Sequence, residues 1–349
     1  MPTSELNSCG RMFIQDKNEG GLTLALGLKD QSHHQQILCI GELLIDFFCS
    51  DIGVNLAEGS HFMKQAGGAP ANVAAAISRL GGVATFAGKV GSDPFGDFLI
   101  HTLNEVNVNT NLICRDSTAL TTMVFVSLQS DGERDFMFNR GADGNFVTTD
   151  LPDDKLREAA IIHFGSATAM LGGAYLDAYF EIMDKARQAK QYISFDPNYR
   201  SSLWAHRTGE FIELAKRGIA HADFVKVSEE ELQLISGHED LNTGVTELHR
   251  LGAKVVAVTL GKNGTLISNE DQYAKVPSIS IKSIDSTGAG DAFVGAVLFQ
   301  LSQLTTHGIA QLTFEDWQAK IQFANRVGAI VCTKVGAIAA LPTYKEVME

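Results

Sequence analysis

The segment SIDSTGAGDAFVGAVL, residues 283–298, carries the strongest chemical signal in the chain. Gly288, Ala289 and Gly290 fall where a strand should end and a helix begin. Small residues there let backbone N–H groups surround an anion, and a helix N-terminus adds about half a positive charge. Asp291 follows in the first turn, where a carboxylate either caps the helix or, beside a phosphate, takes a proton from a hydroxyl group. The segment therefore predicts an anion site with a neighbouring carboxylate that can act as a base.

The elements that would hold this site are alternating strands and helices. Ile37–Phe48 is a continuous apolar run typical of a buried parallel strand, and Gly67–Gly82 is an Ala-rich helix bounded by glycines. Further strands are predicted at Ala84–Gly91 and in the segments AAIIHFGS, YISFDPN, ADFVKVS and KVVAVTLG. This alternation predicts an α/β fold with a doubly wound, mostly parallel sheet flanked by helices.

Two stretches, at about 49–65 and 121–141, break the alternation. Thr121–Gly141 contains two strand-like runs around Asp131-Gly132, a dipeptide that favours hairpin turns, and residues 49–65 lack a helical pattern. We therefore expect a small β-sheet that projects from the main one as a lid. Residues 1–36 are rich in glycine and polar residues and are interpreted as a flexible extension, so that 37–349 forms one domain.

The composition limits the partners. The net charge of −13 repels phosphate backbones and anionic membranes, so neither nucleic acid nor a membrane is an expected partner. The sequence has no apolar run of membrane-spanning length, and residues 1–36 lack the pattern of a secretory signal. The 5 cysteines include no C-x-x-C pair, which favours free thiols in a reducing compartment. These features predict a cytoplasmic protein that holds any anionic ligand through local dipoles, cationic side chains and a metal.

The two glycine-bearing segments GGAPAN and DSTGAGD resemble, in wording and order, the two signatures of PfkB-type (ribokinase-like) carbohydrate kinases. The resemblance runs from Ile37 to about Lys345 and implies that ATP and a sugar are the partners, with Mg²⁺ and K⁺ as cofactors. It also implies that Asp291 is the general base on the sugar hydroxyl and that the Gly288–Gly290 loop stabilises the charge of phosphoryl transfer. The alternative from another class is an inactive kinase-like interaction protein, which the presence of these residues argues against.

The resemblance assigns a sugar-binding end. A carboxylate and an amide can recognise the hydroxyl groups of a sugar, and glycines let the sugar approach the backbone. The two arginines would enter the cleft and bind substrate or phosphate, although surface salt bridges are the alternative for both. The predicted substrate-binding residues are Asp46, which would close the first strand, Gly67, Gly68, Asn72, Arg140 and Arg200.

The nucleotide and the metals are assigned to scattered segments. Ser228 stands where the wider family has Asn, and Glu231 keeps the Glu that organises Mg²⁺ through water. The predicted nucleotide-binding residues are Ser228, Glu231, Thr259, Gly261, Gly264 and Asn325. The predicted monovalent-cation ligands are the side chain of Asp285 and the carbonyl groups of Thr287, Val331, Lys334, Gly336 and Ala340, the last of which replaces a Ser found in ribokinase-type members.

Three segments resemble the fructokinase branch in particular: residues 67–82, Asp131–Asp143 and Ser194–Trp204. D-Fructose is therefore the expected substrate and fructose 6-phosphate the expected product. The alternative is 2-keto-3-deoxygluconate kinase, which shares the DPNYR-type segment and uses its Arg to bind the substrate carboxylate. The resemblance is also compatible with a homodimer that forms through the lid.

Overall fold

A computed structural model describes residues 34–129 and 134–349 of the 349-residue chain. Its strands form a nine-stranded and a four-stranded sheet. The strands are β1 (Ile37–Ile40), β2 (Leu44–Cys49), β3 (Phe62–Gly67), β4 (Ala84–Gly91), β5 (Asn109–Asp116), β6 (Met123–Leu128), β7 (Arg134–Asn139), β8 (Ile161–Phe164), β9 (Tyr192–Phe195), β10 (Phe224–Ser228), β11 (Val255–Thr259), β12 (Thr265–Asn269) and β13 (Tyr273–Val276).

Helices cover both faces of the larger sheet. They are α1 (Ala69–Arg79), α2 (Pro94–Glu105), α3 (Asp153–Glu158), α4 (Ala174–Gln188), α5 (Ser201–Trp204), α6 (Thr208–Ile219), α7 (Glu229–Ser236), α8 (Leu241–Leu251), α9 (Ala289–Leu301), α10 (Thr306–Ala310), α11 (Phe314–Val331) and α12 (Tyr344–Met348). Among the described residues, no helix is long and apolar enough to cross a membrane.

The larger sheet has the order β13-β12-β11-β10-β9-β8-β1-β4-β5, with parallel pairing from β11 to β5 and antiparallel pairing at β12 and β13. Strand β1 shows why its sequence is apolar throughout. Ile37 and Cys39 pack in one core cluster, Leu38 and Ile40 pack in the other, and all four side chains are buried. Successive side chains point to opposite faces of a strand, so a sheet covered on both faces requires apolar residues at every position. The predicted fold class is confirmed.

The four-stranded sheet has the order β3-β2-β6-β7 and corresponds to the predicted lid. Strands β6 and β7 pair antiparallel, as the two strand-like runs predicted, and the Asp131-Gly132 turn lies outside the described residues. Phe47 of β2 stacks on Phe125 of β6 at 4.9 Å between ring centroids, which gives this small sheet an aromatic core.

The prediction of one strand at Ile37–Phe48 is wrong. The run divides at Gly41–Leu43 into β1 of the larger sheet and β2 of the lid. Glu42 lies in this break, where its Oε1 accepts the N–H of Ala69 at 3.0 Å and its Oε2 accepts the hydroxyl of Ser166. Because these contacts satisfy the carboxyl group, a buried polar residue can stand inside an apolar run. Asp46 therefore lies within a lid strand and does not close the first strand of the main sheet.

The contacts of the domain also begin earlier in the chain than the expected boundary between residues 36 and 37. His34 stacks on Phe299 at 5.5 Å between ring centroids, and the N–H of Gln35 donates to the carbonyl of Ser302 at 2.8 Å. His34 and Gln35, assigned to the extension from the sequence, thus already contact α9 and the residue that follows it. Residues 1–33 lie outside the described ranges.

Candidate active site

The predicted anion site lies at the N-terminus of α9. Gly288 has φ 75°, and a Cβ atom there would lie 2.6 Å from the Cβ of Ala337, so only glycine fits. Helix α9 begins at Ala289, and Asp291 lies in its first turn. The free N–H groups of this turn and the carboxylate of Asp291 therefore lie side by side, as the sequence predicts.

Asn72 of α1 contacts Asp291 directly. Its Nδ2 donates to Asp291 Oδ2 at 2.8 Å, and its buried Oδ1 has no hydrogen-bond partner among the described residues. Burial raises the pKa of Asp291 to about 6, against the opposing effects of Asn72 and the cation of Arg200. A carboxyl group with this pKa is ionised at neutral pH yet basic enough to accept a proton. The free Oδ1 of Asn72 can accept a hydrogen bond from a substrate hydroxyl.

Asp46 extends the site onto the lid. It lies in the middle of β2, paired with Gln65 of β3 and Val124 of β6. A Cβ atom at Gly67 would lie 2.0 Å from Asp46 Oδ2, so glycine at 67 leaves the room that this carboxylate occupies. Removal from water raises the pKa of Asp46 to about 6, and the cation of Arg200 opposes the rise. Since the charge of Arg200 opposes the rise of pKa at both Asp46 and Asp291, its guanidinium lies within electrostatic range of both carboxylates.

Gly68, the other predicted sugar-binding glycine, is the N-cap residue that immediately precedes helix α1. It has φ 110°, and a Cβ atom there would lie 2.3 Å from the carbonyl oxygen of Glu42. Glycine is therefore required for the chain to pass from the lid strand β3 into α1 beside the link between the two sheets.

Arg140 has a different environment from Arg200. Its guanidinium donates to the carbonyl oxygens of Thr168 at 3.0 Å and Gly172 at 3.1 Å, and it lies 3.9 Å from Asp143. These contacts tie the end of β7 to the main domain. Substrate binding by Arg140 stays a prediction, because its NH1 and NH2 groups donate to backbone carbonyl groups of the main domain.

A cavity of about 660 Å³ adjoins the anion site. This volume is typical of small-molecule sites. The predicted nucleotide-binding residues Thr259, Gly261, Gly264 and Asn325 line it together with Ala289 and Gly290. The side chain of Asn325 accepts the hydroxyl of Thr265 at 2.6 Å and donates to the carbonyl of Val276 at 3.0 Å, so it fixes the cavity wall.

Ser228 and Glu231 form a capping box at the start of α7. Ser228 Oγ accepts the N–H of Glu231 at 3.1 Å, and Glu231 Oε2 accepts the N–H of Ser228 at 2.6 Å. Glu231 Oε1 also accepts the N–H of Tyr199 at 2.7 Å, next to Arg200. Glu231 therefore holds the loop that carries Arg200, in addition to any role toward the metal.

The sequence reasoning missed Lys226 and Asp196. Lys226 Nζ lies 2.9 Å from Asp196 Oδ2, and a Cβ atom at Gly290 would lie 3.4 Å from the same nitrogen. Burial alone would lower the pKa of Lys226, but the carboxylates of Asp196, Glu231 and Asp291 raise it above its usual value. A cation thus lies against the anion loop. The signal was a lysine inside the otherwise apolar strand FVKVS, where a charge requires a partner.

The predicted cation ligands are partly assembled. Asp285 Oδ1 accepts the N–H of Thr287 at 3.0 Å, and its Oδ2 accepts the N–H of Gly336 at 2.9 Å. The carbonyl of Val331 accepts the N–H of Lys334 at 3.2 Å, which occupies part of its capacity. Segments 285–287 and 331–336 thus meet beside the anion loop, and ligation by their oxygen atoms stays a prediction, as it does for Ala340.

A cavity that reaches a helix N-terminus, with a buried, ionisable carboxylate in the first turn of that helix, is an arrangement suited to the transfer of a phosphoryl group to a hydroxyl group. Residues 34–344 match the model of the pfkB family of carbohydrate kinases, and the chain belongs to that family.

Within this family, the chain is similar in sequence and in structure to several fructokinases. Fructokinase-1 of Oryza sativa subsp. japonica is 40% identical over 320 residues, which cover 90% of this chain and 96% of the relative. The ATP-bound crystal structure of a fructokinase from Xylella fastidiosa has a TM-score of 0.81 at 36% identity, covering 90% of this chain and 97% of that one. A double mutant of Vibrio cholerae fructokinase, solved with fructose, ADP and potassium ion, has a TM-score of 0.78 at 30% identity, covering 90% and 98%.

Proposed function

We propose that this chain transfers the γ-phosphoryl group of ATP to D-fructose and forms fructose 6-phosphate. The observation that carries the proposal is the buried, hydrogen-bonded pair of Asp291 and Asn72 at the N-terminus of α9. The pfkB family model and the fructokinase relatives support the same reaction.

Each step has a residue suited to it. Asp291, with a pKa of about 6, is mostly ionised at pH 7 and takes the proton from the sugar hydroxyl as its oxygen attacks the γ-phosphorus. The bond from that phosphorus to the bridging oxygen breaks, and ADP leaves with the electron pair. The N–H groups at the start of α9 and the ammonium of Lys226 stabilise the charge on the transferred group.

The sugar is oriented by groups on both sides of the cleft. Asp46 accepts hydrogen bonds from sugar hydroxyl groups on the lid side, and Asn72 Oδ1, buried without a partner among the described residues, accepts one on the α1 side. Two carboxylates and one arginine, Arg200, line this region. The excess of negative charge disfavours a substrate that carries its own carboxylate, as 2-keto-3-deoxygluconate does.

Metal ions complete the reaction. Mg²⁺ usually keeps several waters and binds to phosphates and one or two carboxylates, a requirement that Glu231 can meet through water. When bound, Mg²⁺ neutralises charge on the ATP phosphates. A monovalent cation, K⁺, fits the oxygen atoms around Asp285 and Gly336, because K⁺ is coordinated by carbonyl and carboxylate oxygens.

The lid sheet excludes water from the bound sugar when it closes, so that water does not compete as phosphoryl acceptor.

Three apolar side chains of the lid, Met63, Leu128 and Met137, are about half exposed to solvent. A homodimer that covers these apolar side chains is the proposed assembly, and sedimentation of the wild type against Met63→Lys and Met137→Lys tests it. Equal mass for the wild type and both variants would contradict a lid-mediated dimer.

The assay of function is ADP release with fructose, 2-keto-3-deoxygluconate and ribose in the presence of Mg²⁺. We expect the highest kcat/KM for fructose, and formation of fructose 6-phosphate identified by its mass and by NMR. Asp291→Asn is the matched inactive control, since it changes one atom type at the base. A higher kcat/KM for 2-keto-3-deoxygluconate would overturn the fructose assignment, and no ADP release with any sugar would overturn the kinase assignment.

A further inference from the structure

A second cavity lies at the N-terminal ends of the parallel strands of the main sheet, whereas the candidate active site lies toward their C-terminal ends. It has a volume of about 470 Å³ and is lined by residues at the starts of β9 and β11, by Asp223 just before β10 and by α10 and α11. The candidate active-site residues Asp196 and Ser228 lie just beyond the other end of β9 and at the other end of β10. Strands of this length, at about 3.3 Å per residue, separate the two sites by more than 10 Å.

The cavity is cationic in a strongly acidic chain. Arg187, Lys190 and Lys254 line it together with one carboxylate, Asp223, whereas the whole chain has a net charge of −13. Asp223 is buried, and its Oδ1 accepts Lys254 Nζ at 2.5 Å and lies 3.5 Å from Arg187 NH1. In the described part of the chain no acidic group pairs with Lys190. Three cations over one carboxylate leave two positive charges in excess.

These cations are available to a ligand. The side chains of Arg187 and Lys254 are 47% and 58% exposed, and after their contact with Asp223 both retain unused N–H donors. The lining also includes the large apolar surfaces of Trp317, Tyr192 and Ile309. An apolar wall facing a few convergent polar groups is the usual construction of a small-molecule site, and the volume is in the usual range.

We propose that this cavity, named here the basal cavity (Arg187, Lys190, Tyr192, Asp223, Lys254 and Trp317), binds a small phosphate ester separately from the catalytic site. A phosphate dianion matches the excess of two positive charges, and Arg187 can hold two of its oxygens in a bidentate contact. The apolar wall contacts the organic part of the ligand. Fructose 6-phosphate and AMP share this chemistry, and the experiment separates them.

Trp317 makes the site observable without a mutation in the active site. The chain contains 2 tryptophans, Trp204 and Trp317, so protein labelled with 5-fluorotryptophan gives two ¹⁹F resonances. Trp204→Phe assigns them. Inorganic phosphate, fructose 6-phosphate and AMP are titrated at constant ionic strength, and we expect a saturable shift of the Trp317 resonance. A shift with inorganic phosphate shows that the phosphate suffices, whereas a shift with only one ester identifies the organic part that the wall selects.

The decisive variant is Lys190→Gln, because it removes a cation that Asp223 does not use. We expect roughly a tenfold or greater loss of affinity for the ligand that shifts Trp317, as for the removal of one charge-assisted contact. Lys254→Gln should act in the same direction. Lys345→Gln, an exposed lysine 3.7 Å from Glu349 on α12, is the control and should leave the affinity unchanged.

Two results would overturn the proposal: no saturable shift of Trp317 with any of the three compounds at millimolar concentration, or unchanged affinity in Lys190→Gln. The titration needs no turnover. A failure to phosphorylate fructose would therefore leave this site standing, and an empty basal cavity would leave the proposed kinase activity intact.

Discussion

The hydrogen bond from Asn72 to Asp291 should set the pH at which the enzyme loses activity. Burial raises the pKa of Asp291 to about 6, and Asn72 is the strongest of the groups that oppose the rise. A general base must be unprotonated, so kcat/KM should fall as the pH falls through about 6. A hydrogen bond to a charged group contributes about 1.5–3 kcal/mol, and 1.36 kcal/mol corresponds to one pKa unit. Asn72→Leu should therefore raise the pKa of Asp291 by about one to two units.

The measurement is kcat/KM for fructose between pH 5 and 9 by ADP release. The acid limb should move from about 6 in the wild type to about 7–8 in Asn72→Leu. The variant also loses the Oδ1 that accepts a sugar hydroxyl, which raises KM at every pH. Burial raises the pKa of Asp46 to about 6 as well, so Asp46 contributes to the acid limb of both proteins. The shift of the limb between the two proteins reports Asp291, because Asn72 donates its hydrogen bond to Asp291. Asn242→Leu, an exposed position on α8, is the control and should keep the limb at the wild-type pH. An acid limb that stays in place in Asn72→Leu would refute the assignment of Asp291 as the titrating base.

Three further predictions concern the proposed base Asp291, the proposed sugar-binding carboxylate of Asp46, and the lid. Asp291→Asn should lower kcat by roughly 10²–10⁴ and raise Tm. The gain in stability arises because the pKa of Asp291 in the folded state, about 6, lies above the usual carboxyl value. Ionised Asp291 therefore destabilises the fold at pH values above about 6, and the effect disappears at pH values below the usual carboxyl pKa. Near-normal turnover in a folded variant would contradict the first part. Asp46→Ala should weaken fructose binding in calorimetry and leave ATP binding unchanged, and equal fructose affinity would remove Asp46 from the sugar site. Backbone hydrogen exchange in β2, β3 and β6 should slow when fructose binds, and rates insensitive to the sugar would contradict lid closure.

Most of the fold could be predicted from the sequence, because the pattern of apolar residues in each segment matches the strand or helix that the segment forms. The strands at residues 84–91 and 161–164 and the helix at 69–79 lie where apolar runs and glycine boundaries place them. The division of residues 37–48 could not be predicted. Apolar residues continue on both sides of Glu42, and the partners that satisfy Glu42, Ala69 and Ser166, come from distant segments. Periodicity reports burial but does not report which sheet a strand joins.

The candidate site was predictable where one short segment holds the whole signal. Gly288, Gly290 and Asp291 act through a loop and a helix start that adjoin in sequence. Lys226 and Asp196 were missed because each is a single charged residue in an apolar strand or beside one, and only the fold pairs them at 2.9 Å. A buried charge without a visible partner in the sequence is itself a sign of such a pair.

The division of the first apolar run explains why the two carboxylates proposed to face the sugar belong to different sheets. Asp46 belongs to the lid through β2, whereas Asp291 belongs to the main domain through α9, and burial raises the pKa of both carboxyl groups to about 6 against the opposing charge of Arg200. Had residues 37–48 formed one strand of the main sheet, Asp46 would have stood at its end and would not move with the lid. Because the strand breaks at Glu42, a change in lid position changes the distance between Asp46 and Asp291. The proposed site therefore depends on both sheets, which is the physical reason that no single sequence segment contains both Asp46 and Asp291.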